Sequence, residues 1–286
     1  MPSDVRELLR DAEQRLATAG VVSARADAEV LLAHALRVDR SRLGVLLALR
    51  ESVEPGTFEH LLDQREQRVP LQHLTGRAGF RELDLHVGPG VFVPRPETET
   101  VAQLAVDETR RLVAAGEFPT VVDLCTGSGA IALAVATEVP RCAVHAVELD
   151  PMAHAWARRN VDEFAPRVDL REGDAASAFA DLDGEVDVVV SNPPYVPPGA
   201  VPVDAEVARH DPEIALYGLG DDGLLVPRRV VAAAARLLRP GGYVVVEHAE
   251  VQERSAREMF SASLWQDVGS HRDLTGRPRT TTARRR

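Results

Sequence analysis

Hydrophobic positions in residues 1–75 recur at intervals of three and four, which predicts amphipathic helices. The first helix would bury one apolar face made of Val5, Leu8, Leu9, Ala12 and Leu16. Three more helices are predicted at residues 24–36, at 41–49 with Ser41 as the N-cap, and at 55–68 with Pro55 at the start. No cluster of titratable residues typical of catalysis lies here. We therefore expect a small helical bundle that recognises a partner or braces the main domain.

The hydrophobic period changes after this bundle. Apolar and polar residues alternate loosely over positions 80–87, and Gly88-Pro89-Gly90 then leads into a second apolar stretch at 91–93. This pattern predicts a connecting β-hairpin. Prolines in the following segment prevent a regular helix before Thr98, so Glu97 or Thr98 is expected to begin the next one.

Beyond residue 118, short apolar strands alternate with helices. Strands are predicted at 121–125, 143–147, 168–170, 186–190 and 243–247, and helices at 130–138, 151–160 and 224–238. Continuous apolar strands separated by helices indicate an α/β domain with a parallel sheet covered on both faces. A ligand should bind at the carboxyl ends of the strands. Residues 196–222 show no core pattern, and we expect a loop that covers a bound partner.

Composition narrows the class of protein. With 286 residues, the chain suits a main domain plus a smaller one. Its apolar runs are too short to cross a bilayer and its charged N-terminus is unlike an export signal, so a cytoplasmic location is expected. The two cysteines, Cys125 and Cys142, should be free thiols in the core.

Charge argues against nucleic acid as a partner. The net charge is −11, whereas sequence-independent binding to nucleic acid depends on basic residues that neutralise phosphates. All 33 basic residues are Arg, and residues 284–286 are predicted to form a solvated tail. We expect no direct contact with nucleic acid.

A glycine turn follows the first strand of the α/β region. Gly127 and Gly129 let the backbone approach a ligand closely, and Ala132 replaces the third glycine of the dinucleotide-binding pattern. By itself such a turn could merely reverse the chain. We assign as candidate cofactor-binding residues Asp123, Thr126, Gly127, Ser128 and Gly129.

Acidic residues close the next two strands. Glu148 can accept hydrogen bonds from ribose hydroxyls and is favoured over Asp150, which could instead cap the helix that begins at Pro151. Asp174, with Ala175 beside it, is the candidate for binding an adenine amino group, helix capping being the alternative. The chain has no Gly-x-x-x-x-Gly-Lys motif and no Lys. A nucleoside cofactor without phosphates therefore fits best, such as S-adenosylmethionine, with no metal.

The tetrapeptide Asn192-Pro193-Pro194-Tyr195 follows the strand at 186–190. An amide or exocyclic amino nitrogen is a poor nucleophile unless acceptors hold its hydrogens, and the Asn192 side-chain oxygen and the Pro193 carbonyl can do so. The prolines remove competing N–H donors, and the ring of Tyr195 can stack on a planar group. We assign Asn192, Pro193 and Tyr195 as catalytic residues. All four residues of the tetrapeptide are predicted to bind the substrate, and Asn192 is predicted to contact the cofactor as well. No general base is required.

The chain resembles the peptide chain release factor glutamine methyltransferases. The shared motifs are PLQHLTG at 70–76, VPRPETE at 93–99, the glycine turn, SNPPY at 191–195, PGG at 240–242, VEH at 246–248 and RDLTGR at 272–277. The resemblance implies a class I, Rossmann-like methyltransferase fold with a mostly parallel seven-stranded sheet. It also implies methyl transfer from S-adenosylmethionine to the glutamine of a Gly-Gly-Gln loop in release factors. The chain departs from the family at Cys125, often Gly, and at Ala175, often aromatic.

These observations predict three regions: a helical recognition domain at 1–75, a β-hairpin linker at 76–95 and a methyltransferase domain at 96–286. A monomer that binds release factors is expected, with no membrane contact. Two alternatives stay open. One is adenine-N6 methylation of DNA or RNA, which uses the same tetrapeptide; the other is a binding protein without turnover, which the intact Asn192 disfavours.

Overall fold

The chain forms two compact units in a computed structural model that describes residues 3–202 and 204–286. The first unit contains residues 3–77 together with a short returning segment at 201–202 and 204–210. The second contains Ala78–Ala200 and Asp211–Arg286. The sequence pattern did not predict that residues 201–202 and 204–210 belong to the first unit.

The first unit is a helical bundle with a minimal two-stranded sheet. Its elements are β1 (Ser3–Asp4), α1 (Val5–Thr18), α2 (Ala24–Leu36), α3 (Arg40–Leu49), β2 (Ser52–Val53), α4 (Phe58–Glu66) and α5 (Leu71–Thr75). The apolar face of α1 is buried with leucines of the other helices and Phe58. Two predicted helix starts were wrong. Asp39, not Ser41, caps α3 by accepting the Arg42 N–H at 2.7 Å, and α4 begins at Phe58, three residues after Pro55.

A β-hairpin and a long helix open the second unit. They are β3 (Arg77–Phe80), β4 (Leu83–His86) and α6 (Thr98–Ala114). The hairpin turns at Arg81 and not at Gly88-Pro89-Gly90, and residues 91–93 form no strand. Gly88 and Gly90 instead pack against Trp156 and Met152, so this stretch is a loop held by side chains. Helix α6 begins at Thr98, as predicted.

Strands and helices then alternate through the middle of the chain. The elements are β5 (Thr120–Leu124), α7 (Ala130–Glu138), β6 (Ala143–Glu148), α8 (Pro151–Phe164), β7 (Asp169–Glu172) and β8 (Val186–Ser191). Strand β5 pairs in parallel with both β6 and β8, and β6 pairs in parallel with β7. All six residues of β8 are buried, as expected for a central strand covered on both faces.

The segment after β8 contains two short helices, α9 (Ala205–His210) and α10 (Glu213–Leu216). Helix α9 belongs to the first unit and contributes Glu206 to a buried ion-pair cluster. Glu206 lies 2.7 Å from Arg65 and 2.6 Å from Arg68, and Arg65 also binds Asp27 at 2.7 Å. Burial disfavours the charge of Glu206, but hydrogen bonds, that from Arg68 first, outweigh it and lower its pKa. The segment 196–222, predicted as a loop, therefore contains two short helices among its described residues.

The last third of the chain completes the sheet. Its elements are α11 (Leu225–Leu237), β9 (Leu238–Glu247), α12 (Glu253–Glu258), β10 (Trp265–Arg272) and β11 (Pro278–Arg285). The described residues form one seven-stranded sheet in the order β10-β11-β9-β8-β5-β6-β7. Strand β11 runs antiparallel to both of its neighbours, so the sheet is mostly parallel, as predicted. Apolar clusters cover both of its faces.

The predicted solvated tail was wrong. Residues 284 and 285 belong to β11, where Arg284 is registered with Tyr243 of β9. The Arg284 guanidinium binds Glu108 at 2.9 and 3.0 Å and lies over the Tyr243 ring. Among the described residues, no helix combines the length and apolarity needed to cross a membrane.

Candidate active site

The carboxyl ends of β5 and β8 lie side by side at the centre of the sheet. Leu124, which ends β5, is registered with Ser191, which ends β8. The buried Ser191 hydroxyl donates a hydrogen bond to the Leu124 carbonyl at 2.6 Å. The glycine turn that follows β5 and the tetrapeptide that follows β8 therefore start from adjacent points, where a parallel sheet presents its ligands.

Three residues of the glycine turn have a left-handed backbone. The φ angles are +62° at Cys125, +59° at Gly127 and +86° at Gly129, which leads into α7. No atom lies within 4 Å of the position that a Cβ would take at Gly127, so this side of the turn is open. The turn thus forms a cradle that is open beside Gly127, whereas the N–H groups of Thr126, Gly127 and Gly129 are hydrogen-bonded within the protein. Cys125 and Cys142 are free thiols, as predicted.

Asp123 supports the turn from inside the protein. Its side chain is buried, and Oδ2 accepts the Thr126 hydroxyl at 2.6 Å and the Ala132 N–H at 3.1 Å. Burial raises the pKa of Asp123 to about 7. Thr126 and Ser128 are buried as well. Their side chains therefore shape the cradle, whereas its open side lies at Gly127.

The sequence left two roles to be shared between Glu148 and Asp150: binding the ribose hydroxyls and capping the helix that begins at Pro151. Glu148, at the end of β6, accepts the Gly127 N–H at 2.8 Å and the Asp150 N–H at 2.9 Å. Burial raises its pKa. Asp150 caps α8 by accepting N–H groups of Met152 and Ala153. Each Glu148 oxygen keeps a lone pair beside the cradle, whereas Asp150 is committed to the helix.

Asp174 lies at the end of the next strand, with Ala175 beside it. Asp174 is exposed, and its Oδ1 accepts the Ala176 N–H at 2.9 Å within a turn at 175–179, where no helix begins for it to cap. Ala175 is buried in the same apolar cluster as Val147 and Phe179. The structure thus brings the ends of β5, β6 and β7 together, because each strand is registered with the next.

Asn192 is anchored through one side-chain atom. Its Nδ2 donates to the Thr98 hydroxyl at 3.2 Å, and no described residue hydrogen-bonds to its Oδ1. Thr98 is buried, and its backbone is fixed because it starts α6 and donates its N–H to the Arg95 carbonyl at 3.1 Å. Asn192 itself is half-buried. The arrangement leaves the Asn192 amide oxygen available as an acceptor.

Tyr195 reaches a buried carboxylate. Its hydroxyl donates to Glu247 Oε1 at 3.1 Å, at the end of β9. Burial raises the pKa of Glu247 to about 7, although the hydrogen bond from Tyr195 opposes the shift. Burial also raises the pKa of the Tyr195 hydroxyl. The tyrosine hydroxyl is thus a neutral donor to Glu247.

The backbone of the tetrapeptide is held by the segment that follows α10. Val196 donates its N–H to Leu216 at 2.8 Å and accepts the Gly218 N–H at 3.0 Å. Gln252 donates to the Tyr195 carbonyl at 2.8 Å. A Cβ at Gly223 would lie 2.4 Å from the same carbonyl oxygen. Backbone therefore encloses the tetrapeptide here, and a side chain at position 223 would clash with it.

Sequence reasoning missed Thr98, Glu247, Gln252 and Gly223 as parts of this site. Thr98 and Glu247 occur in motifs that carried the family resemblance, but no pattern linked either to Asn192 or Tyr195. Thr98 is 94 positions from Asn192, and Glu247 is 52 from Tyr195. The sheet register supplies the link: Ser191 pairs with Val246, which sets Asn192 beside Glu247.

The sheet order, its single antiparallel strand β11 and the glycine turn after β5 define a class I methyltransferase fold. A solved structure from T. thermophilus, a 16S rRNA N2 G1207 methyltransferase in complex with AdoMet and guanosine, has the same fold. It matches with a TM-score of 0.51 and 22% identity, over 73% of this chain and 50% of that one.

The chain belongs to the release factor glutamine methyltransferase family. It is 53% identical to the Streptomyces coelicolor release factor glutamine methyltransferase over 96% of this chain and 95% of the relative. The Mycolicibacterium smegmatis enzyme is 46% identical over 98% of both chains. Two family models agree: the PrmC N-terminal domain matches residues 7–76, and the methyltransferase small domain matches residues 71–208.

Proposed function

We propose that this protein transfers a methyl group from S-adenosylmethionine to the side-chain amide N5 of the glutamine in the Gly-Gly-Gln loop of release factors. The observation that carries the proposal is the orientation of Asn192, whose Nδ2 is held by Thr98 while Oδ1 has no partner among the described residues. An acceptor is what an amide nitrogen needs opposite its N–H. The names of the relatives give the same substrate.

The cradle fits S-adenosylmethionine by shape and by charge. The open side of Gly127 leaves room for close approach to the backbone, and Glu148 has spare lone pairs for the ribose hydroxyls. Asp174 at the next strand end is exposed and is assigned to the adenine amino group. The cofactor, when bound, supplies an electrophilic methyl group on a cationic sulfur. An acidic cradle without Lys or phosphate-binding motif suits such a cation.

The chain's own residues act on the glutamine amide. Asn192 Oδ1 and the Pro193 carbonyl accept its two N–H hydrogens and keep the nitrogen lone pair directed at the methyl group. Fixed carbonyl dipoles also stabilise the positive charge that spreads to this nitrogen during transfer. Pro194 stiffens the loop, and the ring of Tyr195 offers a face for the planar amide. The product then loses its proton to water.

We also propose how the protein recognises the release factor and in which state it works. The first unit recognises the release factor, and residues 196–222 cover its bound loop. The protein works as a cytoplasmic monomer and does not bind nucleic acid. Its net charge of −11 supports the absence of nucleic-acid binding. The hairpin links recognition to the methyltransferase domain.

Transfer of labelled methyl groups tests the proposal. The full chain is incubated with labelled S-adenosylmethionine and either a release factor, its Gln→Ala variant in the Gly-Gly-Gln loop, or DNA and RNA. We expect label on the unaltered release factor alone. Label on the Gln→Ala variant, or only on nucleic acid, would contradict the proposed substrate.

Replacement of Asn192 tests the assigned role within the same assay. Asn192→Ala removes the acceptor, so turnover should fall by about two orders of magnitude or more, as for other fixed hydrogen-bonding groups that act in a transition state. Circular dichroism should be unchanged because Asn192 is only half-buried. Wild-type turnover in this variant would remove Asn192 from the mechanism.

A further inference from the structure

Three apolar residues near the tetrapeptide keep their side chains in contact with water. Leu219 is 49% exposed, Leu225 is 37% exposed and Val251 is 89% exposed. Single exposed apolar residues are common on protein surfaces, but several beside a reaction centre indicate a binding surface. We call these three residues the apolar rim.

Leu219 and Leu225 belong to a turn that packs on the tetrapeptide. Gly218 approaches so closely that a Cβ there would lie 2.6 Å from the Pro194 carbonyl oxygen, and Leu219 is the next residue. The Leu225 N–H donates to the Leu219 carbonyl at 3.3 Å. Backbone contacts therefore hold both leucines beside the tetrapeptide.

Val251 lies on the segment that follows β9. The next residue, Gln252, donates from Nε2 to the Tyr195 carbonyl at 2.8 Å and to the Asp222 carbonyl at 2.9 Å. The same amide nitrogen thus joins the Val251 segment both to the tetrapeptide and to the turn that carries Leu219. The apolar rim is therefore continuous with the candidate active site.

The backbone of Leu219 is a second indication of a binding surface. Its φ angle is +59°, a region that glycine and asparagine adopt far more readily than leucine. Because the side chain is half-exposed, it gains only part of the free energy that burial provides. Core packing therefore does not account for a leucine at this position, and residues strained in this way concentrate at ligand-binding sites.

We infer that the apolar rim is a docking surface for the release factor, and that it binds apolar side chains that flank the Gly-Gly-Gln loop. The inference rests on the proposed function and adds contacts that hold the substrate protein. Two glycines have no side chains, so the loop offers the enzyme little to bind besides the glutamine. A glutamine in the site brings the adjoining part of its protein against the residues around the site, where the apolar rim lies. Burial of the rim stabilises that complex without contact with the reacting atoms.

Asparagine substitutions test the inference by steady-state methylation of the full-length release factor. Leu219→Asn and Val251→Asn each remove an apolar contact, so we expect the KM for the release factor to rise about tenfold while kcat stays within about twofold of the wild type. Calorimetric titration with the release factor should show the same rise in Kd. Leu264→Asn is the matched control, because Leu264 is 40% exposed but precedes β10 at the opposite edge of the sheet. Its KM and Kd should be unchanged.

Stability and oligomeric state separate docking from the other roles of an apolar surface. Asparagine adopts a positive φ more readily than leucine, so the urea midpoint of Leu219→Asn should equal or exceed that of the wild type. A lower midpoint, or a fall in kcat at unchanged KM, would show that Leu219 supports the tetrapeptide and would overturn the inference. Wild-type KM and Kd in both variants would overturn it too, as would a dimer of this chain in ultracentrifugation that either substitution dissociates.

The two proposals fail in different ways. If the wild type labels nucleic acid and neither labels nor binds the release factor, the proposed substrate is wrong and the docking surface fails with it. If the release factor is labelled and both rim variants match the wild type, the substrate stands and the docking surface is wrong.

Discussion

Cys125 illustrates how one residue can depart from its family without losing the site. The family resemblance suggested extra bulk beside the cofactor where many members have Gly. The structure adds a conformational reason, because φ at Cys125 is +62°, a region that glycine adopts freely and other residues adopt at a cost of about 1–2 kcal/mol. The Cys125 side chain packs against the apolar cluster on one face of the sheet, which offsets part of that cost.

Glu148 is the single residue from which we expect most of the ribose recognition. In the wild type, two backbone N–H groups bind separate oxygens of Glu148. Glu148→Gln leaves a single acceptor oxygen for both groups and removes the charge. Charge-assisted hydrogen bonds contribute about 1.5–3 kcal/mol each, so the Kd for S-adenosylmethionine should rise roughly ten- to a hundredfold. Isothermal titration calorimetry measures this directly.

Glu172→Gln provides the control for that experiment. Glu172 is registered with Glu148 on the neighbouring strand, but its side chain is exposed, and its ion-pair contact with His154 is long, at 3.9 Å. Its replacement should leave the Kd unchanged. Equal affinities for the wild type and Glu148→Gln would mean that the ribose is held elsewhere.

At the scale of elements, the central strands and their helices could be predicted because their cores are apolar and periodic. Strands β10 and β11 could not. The middle of β11 is Thr280, Thr281, Thr282 and Ala283, all buried between neighbouring strands, so polar residues occupy core positions. Arg284 then pairs with Glu108, 176 positions away. No local pattern distinguishes such a strand from a charged tail.

The candidate site was predictable to a similar degree. Residues at strand ends, such as Glu148 and Asn192, could be found because parallel strands present their carboxyl ends together. Thr98 and Gln252 could not, since their roles depend on contacts between distant elements. The turn at Arg81 was missed for the same reason, because contacts with Glu138 of α7 and Gln103 of α6 hold it.

The segment after α10 should control the geometry of the tetrapeptide. In Gly223→Ala, the new Cβ would lie 2.4 Å from the Tyr195 carbonyl oxygen, so the loop must shift. A displacement of about 1 Å at a reacting group can cost up to a hundredfold in rate. We expect kcat for release factor methylation to fall by at least about tenfold, with a smaller change in cofactor affinity.

Gly199→Ala separates crowding from backbone strain. Gly199 has a positive φ of +81°, close to the +73° of Gly223, but no atom lies within 4 Å of its Cβ position. Both variants carry the strain of a left-handed alanine, whereas only Gly223→Ala meets the tetrapeptide. If both lose the same activity, strain and not contact with Tyr195 is responsible.

At the scale of the whole molecule, two buried carboxylates make the stability of the fold depend on pH near neutrality. Burial raises the pKa of Asp123 and of Glu247 to about 7. A raised pKa in the folded state means that the folded protein binds more protons than the unfolded chain, so stability is lost as pH rises. We expect stability to fall as the pH rises from about 4 to about 7.

Acidic conditions act on other groups. Burial alone would raise the pKa of Glu108, but hydrogen bonds from Arg111 and Arg284 outweigh it and lower the pKa to about 2. The pKa of Glu206, in the first unit, is lowered in the same way by the hydrogen bond from Arg68. Stability from these two residues is present above their unfolded pKa and is lost as the pH falls below about 4. The stability maximum should therefore lie near pH 5.

Urea unfolding at pH 5.5 and at pH 8.0 tests this balance. Each unit of pKa shift corresponds to about 1.4 kcal/mol, so Asp123 and Glu247 together should lower the free energy of unfolding by a few kcal/mol between these pH values. Asp123→Asn and Glu247→Gln each replace a titrating group by a neutral one of similar shape, and each should flatten the dependence. A wild type as stable at pH 8.0 as at pH 5.5 would show that the two carboxylates stay ionised in the folded protein at both pH values.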